Sequence, residues 1–503
     1  MNFPLPRRIP LLLLALLLAL AGSPAPAPAA AGAAPAAAAA DYAQGVTPLG
    51  SGAVRIWFRP AVPAALVDVH YLPGGGLGQQ NLRMTDNAGT WERTVTGLTP
   101  GSALPYWFTY EKGGPLHDTP RFTHTVGGTG GGGGGGAGSF PITFQNNTRG
   151  AYTDAQIHVT VLGQVTPGQW SYMKPDGTMA RISHLDADAP GHLVKRGVNY
   201  PDMSFTLAEV GGTVPSPPAI RGGRIYLSLG SPVFIPVSPD DQGWGGPDPR
   251  NPDDPNSDVY YDWYEYTYVH GEVPFGGNTT QVDQFGFPIT SRLRQTSSGY
   301  DNTQGITTGR AELMQRYAAA VGPAFGPLRS EHRIVAPRSS GLFQPGGARQ
   351  DHLTAAIDQA WAHYTAHPFT LSRLGETFSG RVTGSTLTFS KNGAGGFTLR
   401  KPTSPEVMAC SGAMASGNDT EKQLGAEFCA AFNRGVALDT TAWYRPEAYY
   451  SGAAKNDYAG FFHTVGLERR AYGFPYDDIN DQSSVQILGN SGPPTGLTLG
   501  IGW

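Results

Sequence analysis

The sequence predicts a mainly β protein with two folding units: an N-terminal β-sandwich, then a larger β-barrel or sandwich interrupted by an α/β lobe. Short apolar or alternating runs recur along the 503-residue chain, between turns rich in its 69 Gly and 43 Pro. Helical periodicity is confined to residues 308–434, and a run of seven glycines separates the two units. A cleft between barrel and lobe is the expected place for a ligand, because ligands often bind between two such parts.

Residues 1–40 are predicted to be a signal peptide followed by an Ala- and Pro-rich stub. Arg7 and Arg8 precede an apolar run over residues 9–20, and small residues follow. This order is typical of a secretory signal. The run is shorter than the about 20 apolar residues of a membrane-spanning helix, and no later run approaches that length. We therefore expect a secreted, extracellular protein with no membrane partner.

Residues 41–126 are predicted to form the β-sandwich. Residues 54–58 and 66–71 alternate or run apolar, turns separate such runs, and no helical periodicity appears in this region. Residues 127–138 are almost entirely Gly, which is the composition of a flexible linker. The N-terminal module is therefore expected to fold independently of the rest.

Residues 139–503 are predicted to be the larger domain, with the barrel at about 139–300 and 440–503 and the α/β lobe at about 301–439. Apolar residues three or four apart predict three helices, and Thr420 with Gln423 has the pattern of a capping box. Residues after 440 return to strand and turn composition. The strand-like runs are 142–144, 157–162, 224–229, 233–235 and 260–269, and the helical patterns cover 313–321, 353–364 and 424–432.

Composition narrows the range of ligands. A formal net charge of −4 leaves no global basic field, so no nucleic-acid partner is expected. A disulfide between Cys410 and Cys429 is favoured over a redox or metal pair, because exported proteins usually pair their cysteines. The 12 histidines show no His-Glu-x-x-His pattern, so the sequence gives little support for metal catalysis. The acidic stretch 240–258 lacks the spacing of an EF-hand, so a solvated loop is favoured there over a calcium site. No metal and no cofactor are expected.

The most informative stretch is residues 260–268. Alternation along a strand places Tyr261, Trp263, Glu265 and Thr267 on one face. A carboxyl group between aromatic side chains suits sugar chemistry, because the rings stack on pyranose faces and an apolar wall raises a carboxyl pKa. The alternative is a sheet with aromatic cross-strand pairs and one solvated Glu.

Asp283 lies in a second strand-like run, residues 278–288, eighteen residues after Glu265. Glycines between the two runs allow the chain to turn back, and a hairpin-like return would place the two carboxylates beside or across from each other. Two facing carboxylates are the minimal apparatus for glycoside hydrolysis. The alternative is an exposed Asp near a turn.

Five separated motifs cover the larger domain: Phe-Pro-Ile-Thr-Phe-Gln-Asn at 140–146, Gly-Arg-Ile-Tyr-Leu-Ser-Leu-Gly at 223–230, Asp-Trp-Tyr-Glu at 262–265, Gln-Val-Asp at 281–283 and Phe-Pro-Tyr-Asp-Asp at 474–478. Together and in this order they resemble glycoside hydrolase family 64, whose members are thaumatin-like β-1,3-glucanases that release laminaripentaose. The resemblance implies a thaumatin-like barrel with an α/β lobe beside a wide cleft, a β-1,3-glucan substrate and an inverting mechanism.

The same resemblance implies roles for individual residues. Glu265 would be the general acid that protonates the leaving glycosidic oxygen, and Asp283 the general base that activates water. Thr267 and Thr280 match substrate-contacting threonines of the family. The predicted substrate-binding residues are Tyr261, Trp263, Thr267, Asn278 and Thr280.

The N-terminal unit contains Val-Asp-Val-His-Tyr at 67–71, Gln-Gln-Asn-Leu-Arg-Met at 79–84, Tyr-Trp-Phe-Thr-Tyr at 106–110 and Asp-Thr-Pro at 118–120. These motifs resemble carbohydrate-binding module family 56, a β-sandwich that binds β-1,3-glucan. Alternation places Asp68 and His70 together, so His70 is predicted to lie exposed on the binding face. Trp107 is either a binding platform or part of the core. Asp68, His70 and Trp107 are the predicted glucan-binding residues of the module.

The sequence thus predicts a secreted, monomeric β-1,3-glucan hydrolase of the glucan endo-1,3-β-glucosidase type that releases laminaripentaose-like oligosaccharides. Laminarin, curdlan-like glucan and fungal cell-wall glucan are the candidate substrates. One alternative is a non-catalytic, thaumatin-like β-glucan-binding protein whose cleft grips the chain without cutting it. Another is a hydrolase of a different extracellular polysaccharide. The presence of both carboxylates favours the glucanase.

Overall fold

The computed structural model describes residues 41–50, 53–73, 79–87, 89–99, 102–112, 116–126 and 138–503. These residues form two compact units that divide near residue 137. The predicted signal peptide and stub at 1–40, and the predicted linker 127–138 except for residue 138, lie outside the described residues. A mainly β architecture is confirmed in both units; the thaumatin-like relationship stays a prediction.

The N-terminal unit is a sandwich of two antiparallel sheets, with strand orders β1-β2-β6-β5 and β4-β3-β7-β8, and β9 also pairs with β7. Alternate residues such as Phe58 and Phe108 point between the sheets and are fully buried. Its described residues contain strands and no helix, as predicted. The strands are β1 (Tyr42–Gly50), β2 (Ala53–Pro60), β3 (Val67–Tyr71), β4 (Gln80–Arg83), β5 (Thr85–Asn87), β6 (Thr90–Val95), β7 (Ala103–Glu111), β8 (Leu116–Asp118) and β9 (Phe122–Thr125).

The larger unit contains the remaining strands and the helices. The strands are β10 (Pro141–Asn147), β11 (Ile157–Thr166), β12 (Gln169–Met173), β13 (Met179–Arg181), β14 (Leu193–Lys195), β15 (Val198–Tyr200), β16 (Phe205–Thr206), β17 (Thr213–Pro215), β18 (Ala219–Leu229), β19 (Tyr260–Val269), β20 (Val273–Thr279), β21 (Gln284–Phe285), β22 (Ile289–Gln295), β23 (Tyr300–Gly305), β24 (Ile334–Val335), β25 (Phe369–Arg373), β26 (Glu376–Thr383), β27 (Thr386–Lys391), β28 (Ala394–Arg400), β29 (Gln486–Ile487) and β30 (Gly496–Gly502). The helices are α1 (Leu207–Val210), α2 (Arg310–Ala320), α3 (Thr354–Ala366), α4 (Ser404–Ala409), α5 (Asp419–Asn433) and α6 (Asp457–Val465).

Two sheets enclose the barrel core. One has the strand order β17-β10-β30-β22-β23 and the other the order β13-β12-β11-β18-β19-β20-β29. Along β19, Tyr264, Tyr266 and Tyr268 point into this core and are fully buried. Because side chains alternate along a strand, the neighbouring odd-numbered residues face away from the barrel core. Tyr261 and Trp263 pack there in a second apolar cluster.

The lobe combines helices with the antiparallel sheet β25-β26-β27-β28. Its core is built around aromatic side chains such as Tyr317, Phe428 and Phe462. The three predicted helices are confirmed as α2, α3 and α5. The first turn of α5 differs from the predicted one: Asn418 is the N-cap, and the partner in the capping box is Glu421. A disulfide joins Cys410 to Cys429, with the Cα atoms 5.7 Å apart, as the sequence predicts.

Two predictions about the larger unit are wrong. Residues 233–235 form no strand, because the side chain of Asn256 bonds to both the N–H and the carbonyl of Phe234 and leaves neither for a neighbouring strand. The lobe extends beyond residue 439, since α6 and residues as far as Phe474 pack in the lobe core. The barrel resumes only near Gln486, at β29.

Candidate active site

Glu265 lies on the face of β19 that points away from the barrel core, and its side chain is 15% exposed. Trp263 Nε1 donates a hydrogen bond of 3.1 Å to Glu265 Oε1. Arg224 is directly opposite on β18, and its Nε lies 3.0 Å from the same oxygen. Glu265 is therefore held between an indole and a guanidinium group, and the wall beside it is partly cationic.

Aromatic side chains surround Arg224. Its guanidinium group lies 5.8 Å from the ring centroids of both Trp244 and Trp263. Trp244 packs edge-on against Trp170 and against Tyr226. Sequence reasoning missed Arg224, Trp170 and Trp244, although the alternation of Arg224 and Tyr226 along β18 could have indicated a partner for the β19 face.

Asp283 lies in the turn between β20 and β21, and its side chain is 31% exposed. Ser339 Oγ donates a hydrogen bond of 3.0 Å to Asp283 Oδ1, and Arg338 Nε lies 3.4 Å from the same oxygen. The backbone N–H of Ala336 also donates to the carbonyl of Asp283. A segment of the lobe thus fixes this carboxylate, and sequence reasoning missed that segment.

The hairpin β19–β20 forms as predicted, but it places Asn278 directly opposite Glu265. Asp283 is five residues further along, beyond the end of β20. Electrostatics nevertheless connects the two carboxylates: burial opposes charging of Arg224, yet Tyr226, Glu265 and Asp283 raise its pKa above the usual value. Glu265 is the carboxylate that pairs directly with this guanidinium group, whereas Asp283 contacts Ser339 and Arg338.

The acidic loop 240–258 borders this site. A hydrogen bond to Asp248 and the charge of Asp283 both raise the pKa of Arg250, which belongs to the loop. Within the loop, Asp254 accepts hydrogen bonds from the backbone N–H groups of Asp248 and Asn256.

Across the described parts of both units, no three His, Cys, Asp or Glu side chains are grouped so as to hold a metal ion. In the same residues, no helix is both long enough and apolar enough to cross a membrane.

Several predicted substrate-binding residues are buried. Tyr261 is 1% exposed, and its hydroxyl oxygen accepts a hydrogen bond of 2.8 Å from Arg333. Asn278 is fully buried, and neither of its side-chain polar atoms has a partner among the described residues. Thr280 is 3% exposed and accepts a hydrogen bond from the backbone of Val282. Direct substrate contact is therefore corrected to a supporting role for Tyr261, Asn278 and Thr280.

Two other predicted substrate-binding residues, Thr267 and Trp263, lie beside Glu265. Thr267 is partly accessible, and Trp263 is hydrogen-bonded to the carboxylate. Thr267 is half-buried, and its hydroxyl oxygen accepts a hydrogen bond of 3.1 Å from the backbone of Gly222. Trp263 is 5% exposed and donates to Glu265, as described above. Both share the face of β19 that carries Glu265, which is the arrangement that alternation predicts.

In the N-terminal unit, His70 and Trp107 are direct neighbours on β3 and β7. Their rings stack with centroids 5.3 Å apart, and Arg121 lies 4.2 Å over the Trp107 ring. Trp107 is half-exposed on the outer face, whereas Tyr106 and Phe108 point into the core. Trp107 is therefore part of a surface row and is not a core residue.

Hydrogen bonds fix the rest of this row. His70 Nδ1 lies 2.6 Å from Asn81 Oδ1, and His70 Nε2 lies 2.8 Å from Thr109 Oγ1. Asp68 is on the same strand face and forms an ion pair with Arg83. The predicted residues Asp68, His70 and Trp107 thus lie on one exposed surface of the module.

Comparison with known proteins agrees with the two-unit organisation. Residues 138–501 match the family model Glyco_hydro_64, described as beta-1,3-glucanase. The chain belongs to glycoside hydrolase family 64. Residues 44–119 match the model of carbohydrate binding module family 56. Family 64 membership places the Glu265 and Asp283 site in a domain of glycoside hydrolases, and the matched module contains the His70 and Trp107 row.

Solved family 64 structures resemble this chain. A beta-1,3-glucanase domain from Clostridium beijerinckii is 33% identical with a TM-score of 0.68, and the match covers 73% of this chain and 98% of that domain. The laminaripentaose-producing beta-1,3-glucanase from Paenibacillus barengoltzii, complexed with laminarihexaose, is 31% identical with a TM-score of 0.59. That match covers 92% of this chain and all of the other.

A curated relative is also similar. The glucan endo-1,3-beta-glucosidase of Cellulosimicrobium cellulans is 26% identical over 282 residues, which are 53% of this chain and 50% of that protein. The chain therefore spans about half the length of the curated relatives it matches.

Proposed function

We propose that this protein is a secreted, monomeric, inverting hydrolase of β-1,3-glucan that releases laminaripentaose-like oligosaccharides. The observation that carries the proposal is the pair of partly exposed carboxylates: Glu265, held on the barrel strand by Trp263 and Arg224, and Asp283, held on the turn after β20 by Ser339 and Arg338 of the lobe. Family 64 membership, and the laminaripentaose-producing relative from Paenibacillus barengoltzii, support the choice of substrate and product.

In the proposed reaction, Glu265 is the general acid and protonates the leaving glycosidic oxygen. Asp283 is the general base, and it activates a water molecule on the opposite face of the sugar. Ser339 and Arg338 orient the base. Trp263 and Arg224 orient the acid through the contacts that they make with its Oε1. Inversion requires carboxyl groups roughly 6.5–9.5 Å apart, so that a water molecule fits between sugar and base.

The module is proposed to hold the enzyme on insoluble glucan through the surface row of Asp68, His70 and Trp107. Because the module and the catalytic domain belong to one chain, binding of the module to glucan raises the local concentration of the catalytic domain there. Secretion rests on the pattern of residues 1–40. N-terminal sequencing of protein from a culture supernatant tests it, and retention of Met1 at the mature N-terminus would refute cleavage.

Chromatography of the products released from insoluble β-1,3-glucan tests the reaction and the product together. We expect a five-glucose product to accumulate, and proton NMR of the first product to show the α-anomer before mutarotation. Initial release of the β-anomer would contradict inversion. Parallel incubations with cellulose and β-1,4-xylan should release nothing, and equal hydrolysis of either would favour a different polysaccharide as substrate.

The second candidate function is a non-catalytic β-glucan-binding protein. The observation in its favour is the module, whose exposed row is built independently of the carboxylate pair. A pure binding protein would be retained on insoluble glucan and release no reducing sugar from laminarin. Hydrolysis that disappears in both Glu265→Gln and Asp283→Asn rejects this candidate.

A further inference from the structure

Asp262 is a buried acid on β19 that the proposed reaction does not use. It stands three residues before Glu265, and its side chain is 3% exposed. Its Oδ1 accepts a hydrogen bond of 2.8 Å from the backbone of Trp263, and its Oδ2 accepts one of 2.8 Å from the backbone of Gly286. Burial of an acid is costly unless hydrogen bonds satisfy it, so these contacts determine where the group can lie.

The partners of Asp262 belong to the two segments that carry the proposed acid and base. Asp283 precedes Gly286 by three residues, just as Asp262 precedes Glu265 by three residues on β19. Three residues of extended chain span about 10 Å. The Asp262 contact is therefore separated from each of the two carboxylates by only a short length of backbone.

The segment after Asp283 also packs tightly on β19. Gln284 Nε2 donates a hydrogen bond of 2.9 Å to the carbonyl of Tyr261. Gly286 approaches the same carbonyl so closely that a Cβ atom at position 286 would overlap it. Ser339 and Arg338 hold the Asp283 side chain from the lobe, whereas Asp262 ties the backbone after Asp283 to the barrel.

We propose that Asp262 is a positioning residue, which sets the separation of Glu265 and Asp283 by tying the chain after Asp283 to the strand that carries Glu265. The inference rests on the proposed function of this pair. A displacement of about 1 Å in a site of this kind can reduce the rate on the order of 10²-fold. The contact therefore matters for the rate more than for the binding of glucan, because Asp262 itself is buried.

Steady-state kinetics on soluble laminarin test the proposal with Asp262→Asn. The amide keeps the shape of the side chain, but its nitrogen cannot accept the hydrogen bond of Gly286. We expect kcat to fall about 10- to 100-fold, with KM within about twofold of wild type. The matched control is Glu427→Gln in the lobe, where an equally buried carboxylate accepts from Arg373 and Tyr444.

A merely structural role would make both variants lose stability and keep kcat at temperatures where they remain folded. Wild-type kcat in folded Asp262→Asn, with Asp283→Asn inactive, would overturn the positioning role and leave the proposed function intact. Turnover by Asp283→Asn at the wild-type rate would instead overturn the proposed function.

If circular dichroism shows that Asp262→Asn is not folded, Gly286→Ala is the variant that tests the proposal. An added Cβ separates the same two segments from the other side, because it overlaps the carbonyl of Tyr261. The same fall in kcat with an unchanged KM is expected. An unchanged kcat in folded Gly286→Ala would overturn the proposal.

Discussion

The surface row of the module and the carboxylate site of the larger unit both place a polar side chain beside a Trp on an antiparallel strand. In the module, His70 and Trp107 are stabilised by neighbours of the same sheet. In the larger unit, Glu265 is held by the barrel, whereas Asp283 is held by the lobe. The difference indicates that neighbours within one sheet are enough to fix the module row, whereas the two carboxylates are fixed by two structural parts.

The two sites also differ in what lies behind them. The module row is backed by an apolar core between its sheets. Behind the carboxylate site are buried, hydrogen-bonded polar groups, including Asp262 and Gln284. Buried polar networks fix geometry when their members are satisfied and are costly when they are not. Substitutions should therefore change rate in the larger unit and retention on glucan in the module.

The largest expected effect is the loss of either proposed catalytic group. Glu265→Gln and Asp283→Asn should each lower kcat on laminarin by about 10²- to 10⁴-fold, because general acid or base catalysis contributes about that much. Binding of laminarin by the variants should persist, since both amides keep the shape of the acid. Glu272→Gln is the control, because Glu272 is exposed in the turn of the same hairpin. Near-wild-type turnover in either site variant would remove that residue from the mechanism.

The next effect concerns the module. Trp107→Ala should weaken retention on insoluble β-1,3-glucan about tenfold, equivalent to about 1.4 kcal/mol. Hydrolysis of soluble oligosaccharides should be unchanged, because Trp107 and the two carboxylates belong to different compact units. Arg55→Ala, on the other sheet of the sandwich, is the matched control. A pull-down on insoluble glucan measures the effect, and equal retention of Trp107→Ala and wild type would exclude this surface.

The sequence predicts the local arrangement of the carboxylate site but not the distant partners of its residues. A period of two residues is a local property, so alternation predicted that Glu265 and Trp263 share a face. The partners of these residues depend on distant parts of the chain: Arg224 requires the register between β18 and β19, which contains a bulge. Ser339 lies 56 residues after Asp283 and reaches it only through the folding of the lobe.

The same limit explains the errors in the fold. Helix α6 is buried on nearly all sides, from Tyr458 to Val465, so it lacks the polar stripe by which an amphipathic helix is recognised. The spacing of apolar residues therefore gives no signal for this helix, and the sequence predicts residues 440–503 as part of the barrel. Helices α2, α3 and α5 keep one exposed face, and the spacing of their apolar residues predicted them.

Stability should depend on pH through Asp262. Burial raises its pKa from 3.8 to about 7, against the hydrogen bonds of Gly286, Trp263 and Phe287 and the charge of Arg333. The folded state therefore binds the proton more tightly than the unfolded state. Its contribution to the free energy of unfolding is fully present below about pH 4 and is lost as the pH rises to about 7, on the order of a few kcal/mol in total.

Denaturant unfolding between pH 4 and 8 measures this contribution. Asp262→Asn should remove the part of the decline in the free energy of unfolding that comes from Asp262. The free energy of unfolding of wild type should therefore fall relative to that of the variant as the pH rises. The hydroxyls of Tyr261 and Tyr458 interact electrostatically with Asp262, and burial raises their pKa values, so they stay protonated throughout this range. Asp478, with a pKa raised by burial to about 6, remains in both proteins and cancels in the difference. Parallel curves for the two proteins would contradict the assignment.

The disulfide should stabilise the lobe without contributing to either site. Cys410 and Cys429 are 19 residues apart, and closing a loop of that size contributes roughly 3 kcal/mol in the chain-entropy model. Replacing both by Ser should therefore lower the free energy of unfolding by about that amount and leave laminarin hydrolysis intact at moderate temperature. Thermal unfolding and the reducing-sugar assay measure the two effects, and loss of activity in the folded variant would show coupling to the carboxylate site.

The smallest expected effect separates two ways in which the module row can bind glucan. His70 is a neighbour of Trp107 on one side, and pairing of Tyr106 with Phe122 puts Arg121 on the other. Both flank the indole, and Arg121 holds it by a cation–π contact worth about 0.5–1 kcal/mol at an exposed site. If Arg121 fixes the indole for glucan, Arg121→Ala should weaken retention about two- to fivefold, and Arg121→Lys should retain part of the affinity. Tighter retention of Arg121→Ala would instead mean that the guanidinium group covers a ring face that glucan can use for stacking.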